Sequence, residues 1–149
     1  MLTKEGTPVK STIINEFVAL YQQLNKDNLV RLAEVYDADI EFIDALHHVQ
    51  GLGQLEHYFA GLYQSLSQCH FAIEQVIEQD GQASLFWLMT YCHPKLNGGK
   101  PVRVNGASHL KFNEKIYYHR DYVDLGEMLY EHIPLLGSCI RQVKRRATR

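Results

Sequence analysis

Helical periodicity in the first half of the chain and extended periodicity in the second predict an α+β domain. Two observations carry this: apolar residues recur every three or four positions up to Leu66, and from Cys69 to Val123 four strand-like runs alternate with short turn signals. A third is size, since 149 residues with 46% hydrophobic content suffice for one substantial core and one domain.

Ile13, Ile14, Phe17, Val18, Tyr21 and Leu24 form one stripe of a 3.6-residue period, so a helix is expected after Ser11, a suitable N-cap. Asn25-Lys26-Asp27-Asn28 stops it, and Leu29, Leu32, Ala33 and Tyr36 predict a second, shorter helix. Ile40 to Ala45 is rich in strand formers and reads as a brief strand ending at Asp44, followed by a loop over His47–Gly51. Leu52, Leu55, Tyr58, Phe59, Leu62, Tyr63 and Leu66 then mark a third helix.

The strands are expected at 69–78, 83–92, 102–112 and 116–123, joined at Asp80-Gly81, Asn97-Gly98-Gly99 and Asn113-Glu114. Consecutive strands with short connections predict an antiparallel meander, covered on one face by the helices. Leu125, Met128, Leu129, Ile133, Leu136, Ile140 and Val143 suggest a terminal helix, kinked or divided at Pro134 and Gly137. The expected organisation is a loose segment at 1–10, a folded domain at 11–126 and a helical extension at 127–149.

The formal charge of −2 conceals an asymmetry: Arg141, Lys144, Arg145, Arg146 and Arg149 are five of the fifteen basic residues, leaving ten against seventeen acids elsewhere, or −7. Such an acidic body is not a nucleic-acid surface, and the basic tail suits the negative end of a helix dipole. A soluble, cytoplasmic protein is expected, with no membrane partner, because no secretory leader and no apolar run of spanning length is present. Cys69, Cys92 and Cys139 are odd in number and widely spaced, which predicts buried or half-buried free thiols. Histidine pairs such as His47-His48 lack ligand spacing, so no metal is expected. Neither a phosphate-binding glycine loop nor a nucleophile elbow is found.

The run His119-Arg120-Asp121-Tyr122-Val123-Asp124 carries the chemistry. Alternate residues of a strand share a face, so His119 and Asp121 project together and Arg120 and Tyr122 away. An imidazole beside a carboxylate on an apolar face is an acid/base device. On a wet face it is a surface strand or a structural ion pair. Trp87, Tyr91, Phe86, Tyr58, Phe59 and Tyr63 are either pocket walls for a flat ligand or plain core.

The stretch from Leu32 to Asp44, the Gly51-Leu52-Gly53-Gln54-Leu55 start of the third helix and the run His119 to Asp124 resemble the SnoaL-like and ketosteroid-isomerase-like branch of the nuclear transport factor 2-like superfamily. The resemblance spans roughly residues 12 to 126. It implies a cone-shaped roll, with three N-terminal helices packed in the concave face of a curved, mostly antiparallel sheet around an apolar pocket for a small molecule. It also implies a homodimer formed through the outer sheet face, and no cofactor.

Similarity to the steroid isomerases puts Asp44 at the general base, sets the first-helix tyrosine nearest Leu20, one position from Tyr21, and sets the second acid at Ser108. Similarity to the limonene-epoxide hydrolases is partial, because the strand Leu85–Tyr91 carries neither Arg nor Asp. Similarity to the SnoaL-like cyclases puts the acid/base carboxylate at Asp121, with His119 or His109 shuttling or orienting. The catalytic candidates are therefore Asp121, Asp44 and His119, and the expected pocket-lining residues are Tyr21, Tyr58, Trp87, Ser108 and His47. The functions implied are a cofactor-independent acid/base enzyme of isomerase or cyclase type acting on an apolar carbonyl compound, or a non-catalytic ligand-binding or protein-interaction domain.

Overall fold

Six strands form one curved, open sheet in the order β2-β1-β6-β5-β4-β3, its concave side closed by helices. A computed structural model describes residues 11–124, 126 and 136–148. The elements are α1 (Thr12–Gln23), a 3-10 turn (Leu29–Glu34), β1 (Tyr36–Ile43), β2 (His48–Gln50), α2 (Leu52–Gln64), β3 (Gln68–Gln79), β4 (Gln82–Cys92), β5 (Val102–Phe112), β6 (Ile116–Val123) and α3 (Leu136–Ala147). The expected loose N-terminus and residues 127–135 of the expected extension lie outside the described residues.

Strands β3 to β6 form the antiparallel meander, and β1 joins β6 in parallel. Parallel pairing needs a long crossover, and here everything from β2 to β5 intervenes. Asp80 and Gly81 both take positive φ, 50° and 76°, the geometry of a two-residue hairpin turn matched to strand twist.

Three expectations need correction. Leu29–Glu34 is a 3-10 turn rather than an α-helix, and Tyr36 opens β1 instead of closing a helix. One turn of apolar spacing cannot separate the two, and Val35-Tyr36 is a pair of strand formers. The His47–Gly51 loop contains the short strand β2. The Asn97-Gly98-Gly99 signal is one 3-10 turn within a longer connection, not a tight hairpin.

Helix α1 buries Ile13, Ile14, Phe17, Leu20 and Tyr21, so the wet side of this helix is polar and its apolar stripe faces the sheet. From β4 and β5, Leu85, Trp87 and Leu110 point inward to the same core, while Val104 packs with Tyr91 and Val102 in a second buried cluster. Strand β6 carries one extra residue, since Lys111 pairs with Tyr118 and Phe112 with Ile116. This bulge resets the strand's parity, so that Ile116 and His119, three positions apart, are both buried. Helix α3 includes Gly137 in its first turn and carries Arg141, Lys144, Arg145 and Arg146 exposed.

Candidate functional site

Six side chains form one hydrogen-bonded line through the concave side of the sheet. On β6, His119 and Asp121 face inward while Arg120 and Tyr122 are exposed. His119 is 1% exposed and Asp121 21% by side chain, with His119 Nε2 2.6 Å from Asp121 Oδ1. Ser108 lies opposite Asp121 in the β5–β6 register and donates its hydroxyl to the same Oδ1 at 2.5 Å. Trp87, diagonal to Ser108 across β4 and β5, donates Nε1–H to Ser108 Oγ at 2.9 Å. On the other side, His119 Nδ1 meets the Tyr36 hydroxyl at 2.6 Å, and Tyr36 meets the Tyr21 hydroxyl at 2.5 Å.

The direction of these bonds follows from what each group can do. An indole N–H only donates, so Ser108 accepts from Trp87 and its single hydrogen goes to Asp121. Asp121 Oδ1 is thus an acceptor, and a neutral His119 carries its proton on Nε2. Its Nδ1 then accepts from Tyr36, which in turn accepts from Tyr21. Every group in the line is satisfied with no unpaired proton or lone pair forced on it. Burial holds both tyrosine hydroxyls well above their ordinary range, so they stay protonated.

Asp44 follows β1 and organises a turn. Its Oδ1 accepts from the backbone N–H groups of Leu46 and His47, at 2.8 and 2.7 Å, while Oδ2 accepts from the Tyr58 hydroxyl of α2. Burial, then the bond to Asp44, raises the Tyr58 hydroxyl. The His47 ring packs 4.6 Å from that of Tyr58.

Asp44 and Asp121 open into one cavity of about 370 Å³. Tyr21, Tyr58 and Trp87 share its wall, and Phe42, Phe71, Met89 and Val123 make most of the remainder apolar. Tyr91, Phe59 and Tyr63 also face it, whereas Phe86 is 40% exposed on the outer side. A low-dielectric hollow with a few polar groups suits an apolar molecule bearing one or two oxygens.

A family model, the SnoaL-like domain, matches residues 17–119 of this chain. The chain belongs to the SnoaL-like family. This SnoaL-like domain shares its fold with a protein of ketosteroid isomerase-like fold from Catenulispora acidiphila, solved in complex with trimethylamine. That match has 18% identity and a TM-score of 0.71 over 85% of this chain and 96% of the other. A protein assigned as a SnoaL-like polyketide cyclase from Jannaschia is 14% identical, with a TM-score of 0.74 over 89% and 99%. A second so assigned, from Shewanella putrefaciens, is 17% identical, with a TM-score of 0.67 over 80% and 95%. None of the curated proteins matches.

Within the SnoaL-like domain several expected positions shift. Ser108 and His47 were expected to line the pocket and do not. Ser108 is 4% exposed behind the wall, where it props Asp121. His47 is exposed and packs on the ring of Tyr58 in the turn that Asp44 holds. His119 is also behind the wall and meets the cavity through the residues it bonds, Asp121 on one side and Tyr36 then Tyr21 on the other. His109 takes no part: it bonds Gln82 at 2.8 Å and packs on Tyr118, and burial, then Lys111, lowers its pKa. Cys139 is exposed, unlike Cys69 and Cys92. Sequence reasoning missed Tyr36, which it assigned to a helix; the strand-forming Val35-Tyr36 pair was the available signal.

Proposed function

We propose that this SnoaL-like domain binds an apolar carbonyl compound and moves a proton on it without a cofactor, as an isomerase or cyclase does. The observation that carries this reading is Asp121. It is the carboxylate whose two bonds from the protein fall on one oxygen, Oδ1, while the residue itself lines an apolar cavity. Ser108 and His119 fix its orientation, and Oδ2 acts as the base toward a carbon acid. Water exclusion by the aromatic wall strengthens each electrostatic contact made there. A second carboxylate, Asp44, holds Tyr58 and the mouth turn.

The test is deuterium exchange into a bound ketone by wild type and Asp121→Asn, with binding followed through Trp87, the only tryptophan, which lines the cavity. The variant is expected to bind with similar affinity and to lose exchange by 10²-fold or more, about the loss of a general base. Undiminished exchange in the variant rejects the role.

One observation favours the alternative, a non-catalytic ligand-binding or interaction domain. Both oxygens of Asp44 are already occupied by Tyr58, Leu46 and His47, so the cavity offers one available carboxylate rather than two. Saturable Trp87 quenching with no exchange in any ketone supports that reading. In either case we take the setting as the cytoplasm and the assembly as a homodimer, with the outer face around Phe86 and Tyr122 covered by a second copy. Sedimentation of wild type against Phe86→Glu tests the dimer.

A further inference from the structure

We propose that Tyr21 and Tyr36 form a hydroxyl relay from His119 back to the cavity, so that an acid at Tyr21 and the base at Asp121 are two ends of one hydrogen-bonded line. The inference deepens the acid/base reading and rests on it. Three observations support it.

First, the line is continuous. Asp121 Oδ1 to His119 Nε2 is 2.6 Å, His119 Nδ1 to Tyr36 is 2.6 Å and Tyr36 to Tyr21 is 2.5 Å. Second, both termini face the same space, since Tyr21 and Asp121 line one cavity. Third, only one end can reverse. The Trp87 N–H fixes the polarity of Ser108 and Asp121, whereas the two phenol hydroxyls are free to turn their donor direction. Burial keeps both phenols protonated, so they pass a proton by paired transfers rather than by holding a phenolate.

The proton count closes. In the loaded state His119 carries protons on both nitrogens: Nε2–H donates to ionised Asp121, and Nδ1–H donates to Tyr36. Tyr36 then donates to Tyr21, and Tyr21 to the carbonyl oxygen of the ligand. Asp121 Oδ2 takes the proton from the carbon beside that carbonyl, and the C–H electron pair forms the C=C bond of the enol. The carbonyl oxygen takes the Tyr21 proton, Tyr21 takes that of Tyr36, and Tyr36 takes the one on Nδ1. His119 ends neutral with Nε2–H, Asp121 ends protonated, and the four exchangeable protons of the line remain four. Asp121 Oδ2 then gives its proton to a different carbon while the enol hydroxyl returns its proton to Tyr21, Tyr21 to Tyr36 and Tyr36 to His119 Nδ1, which regenerates the ketone and the loaded state. Tyr36 and His119 are positioning residues in this scheme, and Tyr21 and Asp121 the groups that touch the ligand.

The experiment uses the full chain, 15N-labelled at histidine, as wild type, Tyr21→Phe, Tyr36→Phe and the double variant, with 2-tetralone as the ketone. The first readout is the His119 ring nitrogen resonances, assigned with His119→Gln. A relay requires that Tyr21→Phe, which removes no hydrogen bond from His119 itself, moves the Nδ1 resonance. An unchanged Nδ1 resonance in Tyr21→Phe overturns the relay, whatever Tyr36→Phe does. The second readout is deuteration of 2-tetralone. Each single variant is expected to lose roughly 10²-fold, and the double variant no more than the worse single, because parts of one line are not additive. Multiplying losses overturn it. Should wild type exchange no 2-tetralone, the acid/base reading fails for that probe, and the nitrogen resonances alone decide the relay. Tyr21→Phe decides the question even if Tyr36→Phe does not fold.

Discussion

The six-membered ring of Trp87 lies against the backbone of Gly106, its direct partner in the β4–β5 ladder. A Cβ at position 106 would sit 2.5 Å from Trp87 Cζ2 and 2.6 Å from Cζ3. The indole is buried at 5% exposure and tethered to Ser108, so it cannot swing aside. Gly106→Ala is therefore expected to destabilise the fold by about 1–3 kcal/mol through overpacking. It should also blue- or red-shift Trp87 emission. A denaturant midpoint equal to wild type contradicts this reading.

Ser108→Ala removes the acceptor of a buried indole N–H and one donor to Asp121. Leaving the N–H unpaired is expected to cost about 1–3 kcal/mol, more than the loss of one net hydrogen bond. Ser108→Thr keeps the hydroxyl and is the comparison, with both measured by urea unfolding.

Asp44 and Asp121 are expected to separate in their effects. Asp44→Ala strips three bonds from the turn at the cavity mouth, so amide exchange at Leu46 and His47 should accelerate and ligand binding weaken. Per molecule of bound ketone, proton exchange should fall far less than in Asp121→Asn. Equal loss of the chemical step in the two variants assigns Asp44 a direct role.

Cys69 should resist alkylation while Cys139 reacts first. Burial pushes the Cys69 thiol up to about 11 from an ordinary 9.0, and the Tyr63 bond offsets only part of that. A rise of this size cuts the thiolate fraction at neutral pH roughly a hundredfold. Because the folded value is raised, the neutral thiol's contribution to stability is complete below pH 9 and lost as pH climbs through about 11. Mass-resolved labelling against pH checks both statements.

The meander was legible because each strand alternates and each turn carries Gly or Asn: the expected spans at 102–112 and 116–123 coincide with β5 and β6. The shared face of His119 and Asp121 was legible for the same reason, as parity is local. The partners of that pair were not. Ser108 meets Asp121 through inter-strand register, Trp87 meets Ser108 through a second register, and Tyr36 meets His119 across 83 positions. The Tyr117 bulge, which sets the phase of β6 relative to Ile116, likewise has no signature within its own strand. At the N-terminal side, Leu32 and Tyr36 keep a spacing of four that serves helix and strand start equally, which hid the residue that completes the line.

The parallel junction of β1 with β6, in which Phe42 pairs with His119, imposes an order of assembly. Non-local pairings of this kind form late, after the loop-closure entropy of the intervening chain has been met. A folding intermediate that holds the β3–β6 hairpins intact would already display His119, Asp121 and Ser108, yet His119 would lack Tyr36, its partner on β1. Activity and the final zippering of β1 should therefore emerge in the same kinetic phase, and a chain stalled before it would be a half-open shell, sticky along its unpaired β6 edge.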